Sequence, residues 1–365
     1  VYNDDPAQIF NAENIRSDGL RIAETTQATD NFRASSSLAA QYVEAQFRFP
    51  WDMEMMTGAR REESRQSVLT RDLFADSAEP VTTLLYRVDV LPALTLTQQV
   101  FKDKVAGTMQ VRGGYGRTLN RPDFRELSPA VYYDVVGGRE TRGEPKLQRA
   151  LIDNYDLRWE WYPSPSESLS LGAFYKDFED PIESYVVASV ASRQSYTNAA
   201  GATNAGIEAD FRQSLGFGSD SAWQDVYVAG NAALIRSRVD LRGADGTQTS
   251  TVRPLQGQSP YVVNLQVGYE PMDKPMSGSI MLNRAGPRIL DVGADGIPDE
   301  VEQGRTRLDA VAGLDLGKSW RLNANGRNLL NTPVVRTVGA QEVRAVNEGW
   351  SLGLGLTWEP TAVLN

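Results

Sequence analysis

The chain has 365 residues, a formal net charge of −10, 31 glycines, 14 tyrosines and 7 tryptophans. It holds neither Cys nor His, which excludes disulfides, thiolate or imidazole metal sites and Ser-His-Asp triads, and its acidic balance without a basic block excludes a nucleic-acid binder. No stretch approaches the roughly 18 apolar residues of a membrane-spanning helix, but a barrel strand needs only about ten and hides its apolar half in alternation.

Residues 1–35 show no sustained pattern and read as a long loop. Val1 carries no leader, so the start is expected to be internal. The first strand begins near Ser36 and turns at Pro50-Trp51-Asp52. After a long connection at 63–82, Leu84, Tyr86, Val88 and Val90 form one face and Arg87 and Asp89 the other. That is the period of two that a strand imposes and a helix would scatter. Past a turn at 101–103, Val105, Met109, Val111 and Tyr115 oppose Thr108, Gln110 and Arg112. Beyond the long segment 118–148, Leu151, Asp153, Tyr155, Leu157, Trp159 and Trp161 oppose Ile152, Asn154, Asp156, Arg158 and Glu160.

A turn at 163–166 and a long segment at 179–202 lead to Ile207, Ala209 and Phe211 against Glu208, Asp210 and Arg212. The turn at 216–221 and the long segment 240–258 precede Tyr261, Val263, Leu265, Val267 and Tyr269, which face away from Asn264, Gln266 and Glu270. A turn at 271–275 and a long segment at 288–304 come next. The last apolar faces are Leu308, Ala310, Ala312, Leu314 and Leu316, then, after a turn at 317–318 and a long segment at 331–347, Leu352, Leu354, Leu356 and Trp358.

Soluble sandwiches also alternate, but these strands exceed the usual five or six residues, aromatics sit at their ends, and short and long connections alternate strictly. The expected fold is all-β, an antiparallel transmembrane β-barrel with about thirteen strands over residues 36–358. By the bacterial rule the short turns are periplasmic and the long loops extracellular, so residues 1–35 are an extracellular loop and 359–365 a periplasmic C-terminal tail. An odd count does not close in that scheme. A transporter barrel of about 22 strands would leave about nine upstream, and the parity of the first strand agrees.

Particular residues add to the pattern. The run Gly114-Tyr115-Gly116-Arg117-Thr118-Leu119-Asn120-Arg121-Pro122-Asp123-Phe124-Arg125-Glu126-Leu127-Ser128-Pro129 resembles the T-x-x-R-P-x-F-x-E-L-S-P string of TonB-dependent receptors. Gly143-Glu144-Pro145-Lys146-Leu147 is similar to that family's G-N-P-x-L, Asn204-Ala205-Gly206-Ile207-Glu208 to its N-x-x-G-x-E, and Asn328-Leu329-Leu330-Asn331 to its N-L-L-N. Gly293 to Glu300 resembles the subgroup with a carboxypeptidase-regulatory-like N-terminal extension. The resemblance implies the C-terminal part of an outer-membrane receptor in a Gram-negative bacterium, importing a scarce extracellular ligand and powered by TonB-ExbB-ExbD. It implies surrounding outer-membrane lipid and lipopolysaccharide. It also implies an N-terminal plug, a TonB box and the first barrel strands, none of them in this stretch. Pro360 stands where the family's terminal aromatic is expected.

Candidate sites follow. The loop residues Arg121, Phe124, Tyr132, Tyr133, Arg139, Arg142, Tyr185, Arg193 and Tyr196 are the expected ligand contacts, because loops carry function on such scaffolds. Arg87, Asp89, Arg112, Asp156, Arg158, Glu160, Glu208, Asp210, Arg212, Arg321 and Arg327 are expected to face the lumen, contacting a plug or pairing across the wall. The loop 291–302 carries five carboxylates. Asp291, Asp295 and Asp299 are its candidate Ca²⁺ ligands, weighed against an ordinary solvated Asp-Gly turn; no other cofactor is expected. Two rival functions stand beside the transporter: a passive porin or structural barrel, and a soluble glycosidase using carboxylates such as Glu160 and Asp210.

Overall fold

The structure is a computed structural model, and it describes residues 7, 10–16, 20, 30–74, 79–133, 140–187, 193–216, 223–241, 248–271, 273–293, 295–317 and 319–359. The predicted 1–35 loop and 359–365 tail lie largely outside them. The first strands are β1 (Arg33–Phe49), β2 (Met53–Thr70), β3 (Val81–Asp103) and β4 (Gly107–Asn120). A helical turn, Phe124–Leu127, then leads to the short strands β5 (Val131–Tyr133) and β6 (Glu140–Arg142). Next come β7 (Ala150–Ser164), β8 (Glu167–Glu179), β9 (Ile182–Val187), β10 (Arg193–Asn198), β11 (Gly201–Ser214), β12 (Val226–Asp240) and β13 (Val252–Arg253). The chain ends with β14 (Tyr261–Tyr269), β15 (Met276–Ala285), β16 (Arg288–Asp291), β17 (Glu300–Glu302), β18 (Arg305–Leu316), β19 (Trp320–Arg327), β20 (Val334–Val338), β21 (Gln341–Val346) and β22 (Ser351–Trp358).

One 14-stranded sheet follows the path β1-β2-β3-β4-β7-β8-β11-β12-β14-β15-β18-β19-β22, with β13 attached to β12. The path has the thirteen strands expected, and every neighbouring pair along it is antiparallel. β1 and β22 are its ends and do not pair with each other, so the arc is open.

One face is apolar and exposed, with Leu354 at 82% and Tyr42 at 76%. The opposite face carries the charges, and Asp89 and Glu160 are buried there. A soluble sandwich would reverse this, because its apolar faces must meet across a dry core. Buried apolar clusters occur instead among the long connections: Val68, Leu127 and Leu147 form one, and Ala199, Ala202, Val239 and Leu241 another.

Three local expectations change. Residues 63–70 belong to β2, not to a loop, and pair with β3 through Thr70↔Val81. Their buried face is mostly polar, Ser64, Gln66 and Thr70 beside Val68, and it is covered by protein where Val68 meets Leu127 and Leu147, so it lacks the apolar alternation that lipid contact would impose. Val105 lies in the 104–106 turn, held by Asp103, whose carboxylate accepts its N–H at 2.7 Å. The long connections also fold on themselves: β5, β6, β10 and β9 make one four-stranded sheet, and β16, β17, β20 and β21 another.

Candidate functional site

The family-like loop motif is a packed corner. Pro122 bars helix before it, and Asp123 then caps the turn Phe124–Leu127: its carboxylate accepts the Arg125 N–H at 2.9 Å, and Glu126 Oε2 accepts the Asp123 N–H at 2.8 Å. This reciprocal pair satisfies the donors a helix start leaves open. Leu127 is thereby driven down onto Val68 and Leu147, with Phe124, Ile182 and Tyr196 packed around them. Gly143 closes the corner from the side. A Cβ there would lie 2.3–2.6 Å from the carbonyl oxygens of Arg125, Glu126 and Ser128, so only glycine fits.

Two loops join above this corner. β10 pairs with β6 in parallel at Gln194↔Thr141, and the Tyr132 and Tyr196 hydroxyls share a 2.8 Å hydrogen bond. Arg193 pairs with buried Glu140 at 2.5 Å, and the Arg125 guanidinium sits 5.5 Å from the centroid of the Tyr132 ring. The resulting cap is pinned to the strands. Arg121 reaches Glu62 of β2 at 2.6 Å, Arg149 reaches Asp89 of β3 at 2.6 Å, Gln66 donates to the Pro122 carbonyl at 3.0 Å, and Arg87 donates to Gln148. Burial raises the Glu126 carboxyl above its ordinary pKa, against the Asp123 N–H, and raises the Tyr196 hydroxyl with help from Tyr132.

Of the predicted loop contacts, Arg121, Phe124, Tyr132, Arg193 and Tyr196 are therefore spent on the cap's own packing. Tyr185 lies on β9 opposite Ser195, and Arg142 lies exposed on β6. Tyr133 pairs through its backbone with Glu140, and Arg139 lies outside the described residues. The sequence reading missed the most buried pair of the cap. Arg253 Nη1 lies 2.9 Å from Glu183 Oε2, with side chains 2% and 7% exposed, and Ser184 donates to Gln256 beside it. Burial pushes the Glu183 carboxyl up, with Arg253 opposing. Seventy residues of chain separate the pair, and nothing local in the sequence signals it. Glu183 and Gln256 line a 350 Å³ cavity with Asn120, Ile152, Phe178 and Leu255.

The polar face of the arc carries a continuous belt. Register places Gln99, Gln110, Glu160, Ser170, Asp210, Asn231, Asn264, Asn283 and Arg307 in one row across strands β3 to β18. Gln110 donates to Glu160, and Arg158 bridges Glu160 at 3.2 Å and Asp210 at 3.0 Å. Arg112 lies 3.7 Å from Glu160. Asn264 donates to Asn231 at 2.7 Å, and Asn283 to Asn264 at 2.6 Å. The predicted lumen residues thus mostly answer one another.

Arg212 pairs with Glu270 at 3.1 Å and covers the Tyr227 ring at 3.6 Å, and Arg321 pairs with Asp315 at 3.0 Å. Asp156, Glu208 and Arg327 stand on the same face in register with Gly114, Gly172 and Ser351. Gly206, beside Glu208, is small because a Cβ would meet the Phe174 ring at 2.5 Å. Glu160 and Asp210, the carboxylates of the glycosidase alternative, are both bridged by Arg158 and sit in the cross-linked wall.

The carboxylate loop is closed by hydrogen bonds. Asp299 accepts the Gly293 N–H at 2.7 Å, and Asp295 and Gly296 take φ of 55° and 84° in the Asp-Gly turn. Asp291 is paired into β16 opposite Glu300. Among the described residues no group of three or more carboxylates could hold a metal ion, so Asp291, Asp295 and Asp299 are not gathered as Ca²⁺ ligands. The Asn328-Leu329-Leu330-Asn331 string is likewise a clamp: buried Asn328 donates its side chain to the Gly349 carbonyl at 2.8 Å and its backbone N–H to Asp309 at 2.8 Å.

Comparison with known proteins follows the same lines. No curated protein matches the chain. The structure is similar to the ferric-catecholate import receptor Fiu of E. coli K12, at TM-score 0.64 and 14% identity over 93% of this chain and 47% of that one. It is also similar to the siderophore receptor PiuA of Acinetobacter baumannii (0.64, 12%, 90% and 44%) and to the ferric yersiniabactin uptake receptor FyuA of Yersinia pestis (0.60, 14%, 89% and 46%). The chain therefore spans about half the length of these receptors. The family model "TonB dependent receptor-like, beta-barrel" matches residues 2–329. The chain belongs to the TonB-dependent receptor β-barrel family, whose members are transport receptors of the Gram-negative outer membrane and not enzymes.

Proposed function

We propose that this chain is the C-terminal arc of a TonB-dependent transporter that takes a scarce extracellular ligand across the outer membrane through a plugged barrel of about 22 strands. The short turns and the C-terminus face the periplasm and the long loops the exterior. The polar belt lines the lumen and meets the plug, which, with the TonB box and the remaining strands, belongs to the rest of the receptor. The loops at the cap end, with the cavity lined by Glu183 and Gln256 among them, are where the ligand is first met. Ferric siderophores are the first ligand class to test, since the similar structures are receptors for them.

The observation that carries this reading is the sidedness of the arc. Its apolar face is exposed, its polar face is cross-linked by charges and amides, and its long loops are folded into a cap at one end. The experiment uses the full-length receptor in cells supplied with iron-labelled ferric catecholate, and the same protein in liposomes supplied with arabinose. Accumulation that disappears when tonB is deleted, with no arabinose-driven swelling, is the expected result. Swelling together with tonB-independent uptake would establish a passive pore instead.

A further inference from the structure

A furrow runs along the apolar, outward face of the C-terminal strands. Its floor is Gly278, Ala310, Ala312, Ala324 and Gly326, on the adjacent strands β15, β18 and β19. Met276 and Ile280 wall one side and Leu352 and Leu354 the other, and these four are 54–82% exposed. The furrow encloses 810 Å³, within the range of about 300–1,000 Å³ of ligand pockets. The same face on β7 and β8 is instead filled by Tyr155, Leu157, Leu171 and Tyr175, all exposed. Small residues here leave a concave, apolar bed where the wall at β7 and β8 is bulky.

Two features identify the occupant. The furrow is continuous with the face that meets membrane hydrocarbon, so what enters it comes from the bilayer. Its short-turn end carries interfacial chemistry: Trp223 and Tyr269 line it, Lys274 Nζ stands 5.4 Å from the Tyr269 ring centroid, and the same ammonium lies 2.7 Å from Asp225. Trp320 and Trp358 pair at 6.0 Å at the same end of β19 and β22. Aromatic rings and a cation of this kind mark headgroup depth. Leu352, the far end of the bed, is six residues from Trp358, about 20 Å along a strand and about 15 Å of depth at a strand tilt of about 40°, which keeps the bed within one leaflet of a hydrocarbon core about 30 Å thick.

We propose that the furrow holds one phospholipid of the periplasmic leaflet, its acyl chains on the Gly/Ala floor and its phosphate at Lys274, with Asp225 placed to receive an amine-bearing headgroup. The leaflet rests on the orientation proposed above. The test purifies the full-length receptor in mild detergent with phosphatidylethanolamine and measures retained lipid by native mass spectrometry. The double variant Ala312→Leu/Ala324→Leu fills the floor. Lys274→Gln removes the phosphate partner without touching it. Ala232→Leu makes one such change on the outward face of β12, beyond the furrow, and is compared with Ala312→Leu alone as well as with the double variant; heat-modifiable gel mobility reports folding of each.

The expected result is about a tenfold loss of retained phosphatidylethanolamine in the filled-floor variant, a smaller loss in Lys274→Gln and none in Ala232→Leu. Equal retention in the filled-floor and control variants would overturn the site. A wild-type dimer that the filled floor splits into monomers would overturn it in favour of an interface between copies. Lipopolysaccharide retained in place of phosphatidylethanolamine, and lost on filling, would keep a lipid in the furrow but overturn the orientation and the leaflet assigned here.

Discussion

The cap over β2 to β11 and the arc from β14 to β22 use charge in different ways. In the cap, Arg121, Arg149, Arg193 and Arg253 each meet a carboxylate that is nearly or fully buried, and the family-like motif lies beneath them. Toward the C-terminal end the polar face is linked by side-chain amides, from Asn231 of β12 through Asn264 to Asn283, and its ion pairs Arg307–Asp309 and Arg321–Asp315 are partly to half exposed. The recognisable residues are therefore scaffold: they fix where the loops stand.

The largest break in this contrast is expected at the buried pair. Arg253→Met leaves Glu183 without its cation, a loss of about 3–5 kcal/mol, read as hydrogen exchange across β9 and β10 rising together. Adding Glu183→Leu should restore most of the protection, because an apolar pair of similar volume replaces a buried ion pair at little cost. If the single variant exchanges like wild type, the cap is not held there. Leu127→Ala comes next. It opens a cavity under the motif worth about 3 kcal/mol, and protease cleavage within 121–149 should rise while β14 to β22 keep their protection. Uniform loss across both regions would erase the distinction between them.

In the arc, Arg321→Ala should change stability by less than about 1 kcal/mol, since both partners are half in solvent. A larger loss of unfolding temperature would mean that the two regions are built alike. The smallest effect concerns pH. Burial sets the folded Glu126 pKa above the ordinary value of a solvated glutamate. Its contribution is fully present below that unfolded value and is lost as pH rises through the folded one. Protection of the helical turn should therefore grow on acidification from neutral toward about pH 4.5, and Glu126→Gln should flatten that response. A turn that loosens on acidification would reverse the sign.

How much of this was readable depended on which force shaped the segment. Leu151 to Trp161 announced a strand because one face must be apolar against lipid, and the same pressure made the count of strands and connections legible. Residues 63–70 escaped because the face they bury under the cap is mostly polar, Ser64, Gln66 and Thr70 beside Val68, and leaves no apolar alternation. The strands of the two four-stranded sheets are three to six residues long, too short for a period to show. The belt residues were legible in type but not in partner: Arg158 and Asp210 meet only because register aligns β7, β8 and β11. Arg149 was missed as a charge partner because its loop turns back over Asp89, a path that local pattern does not encode.

The central claim is that one face of this arc meets lipid and the other a polar lumen. These 365 residues hold no cysteine, so single cysteines placed in turn at 261–269 of β14, in a full-length receptor whose remaining segments are also free of cysteine or made so by Cys→Ser, can each carry a nitroxide in a bilayer. Collision rates with dissolved oxygen should peak at Val263, Leu265 and Val267 and fall at Asn264 and Gln266, with a polar nickel chelate showing the opposite alternation. Equal accessibility to both reagents along the strand, or peaks on Asn264 and Gln266 for oxygen, would contradict the account.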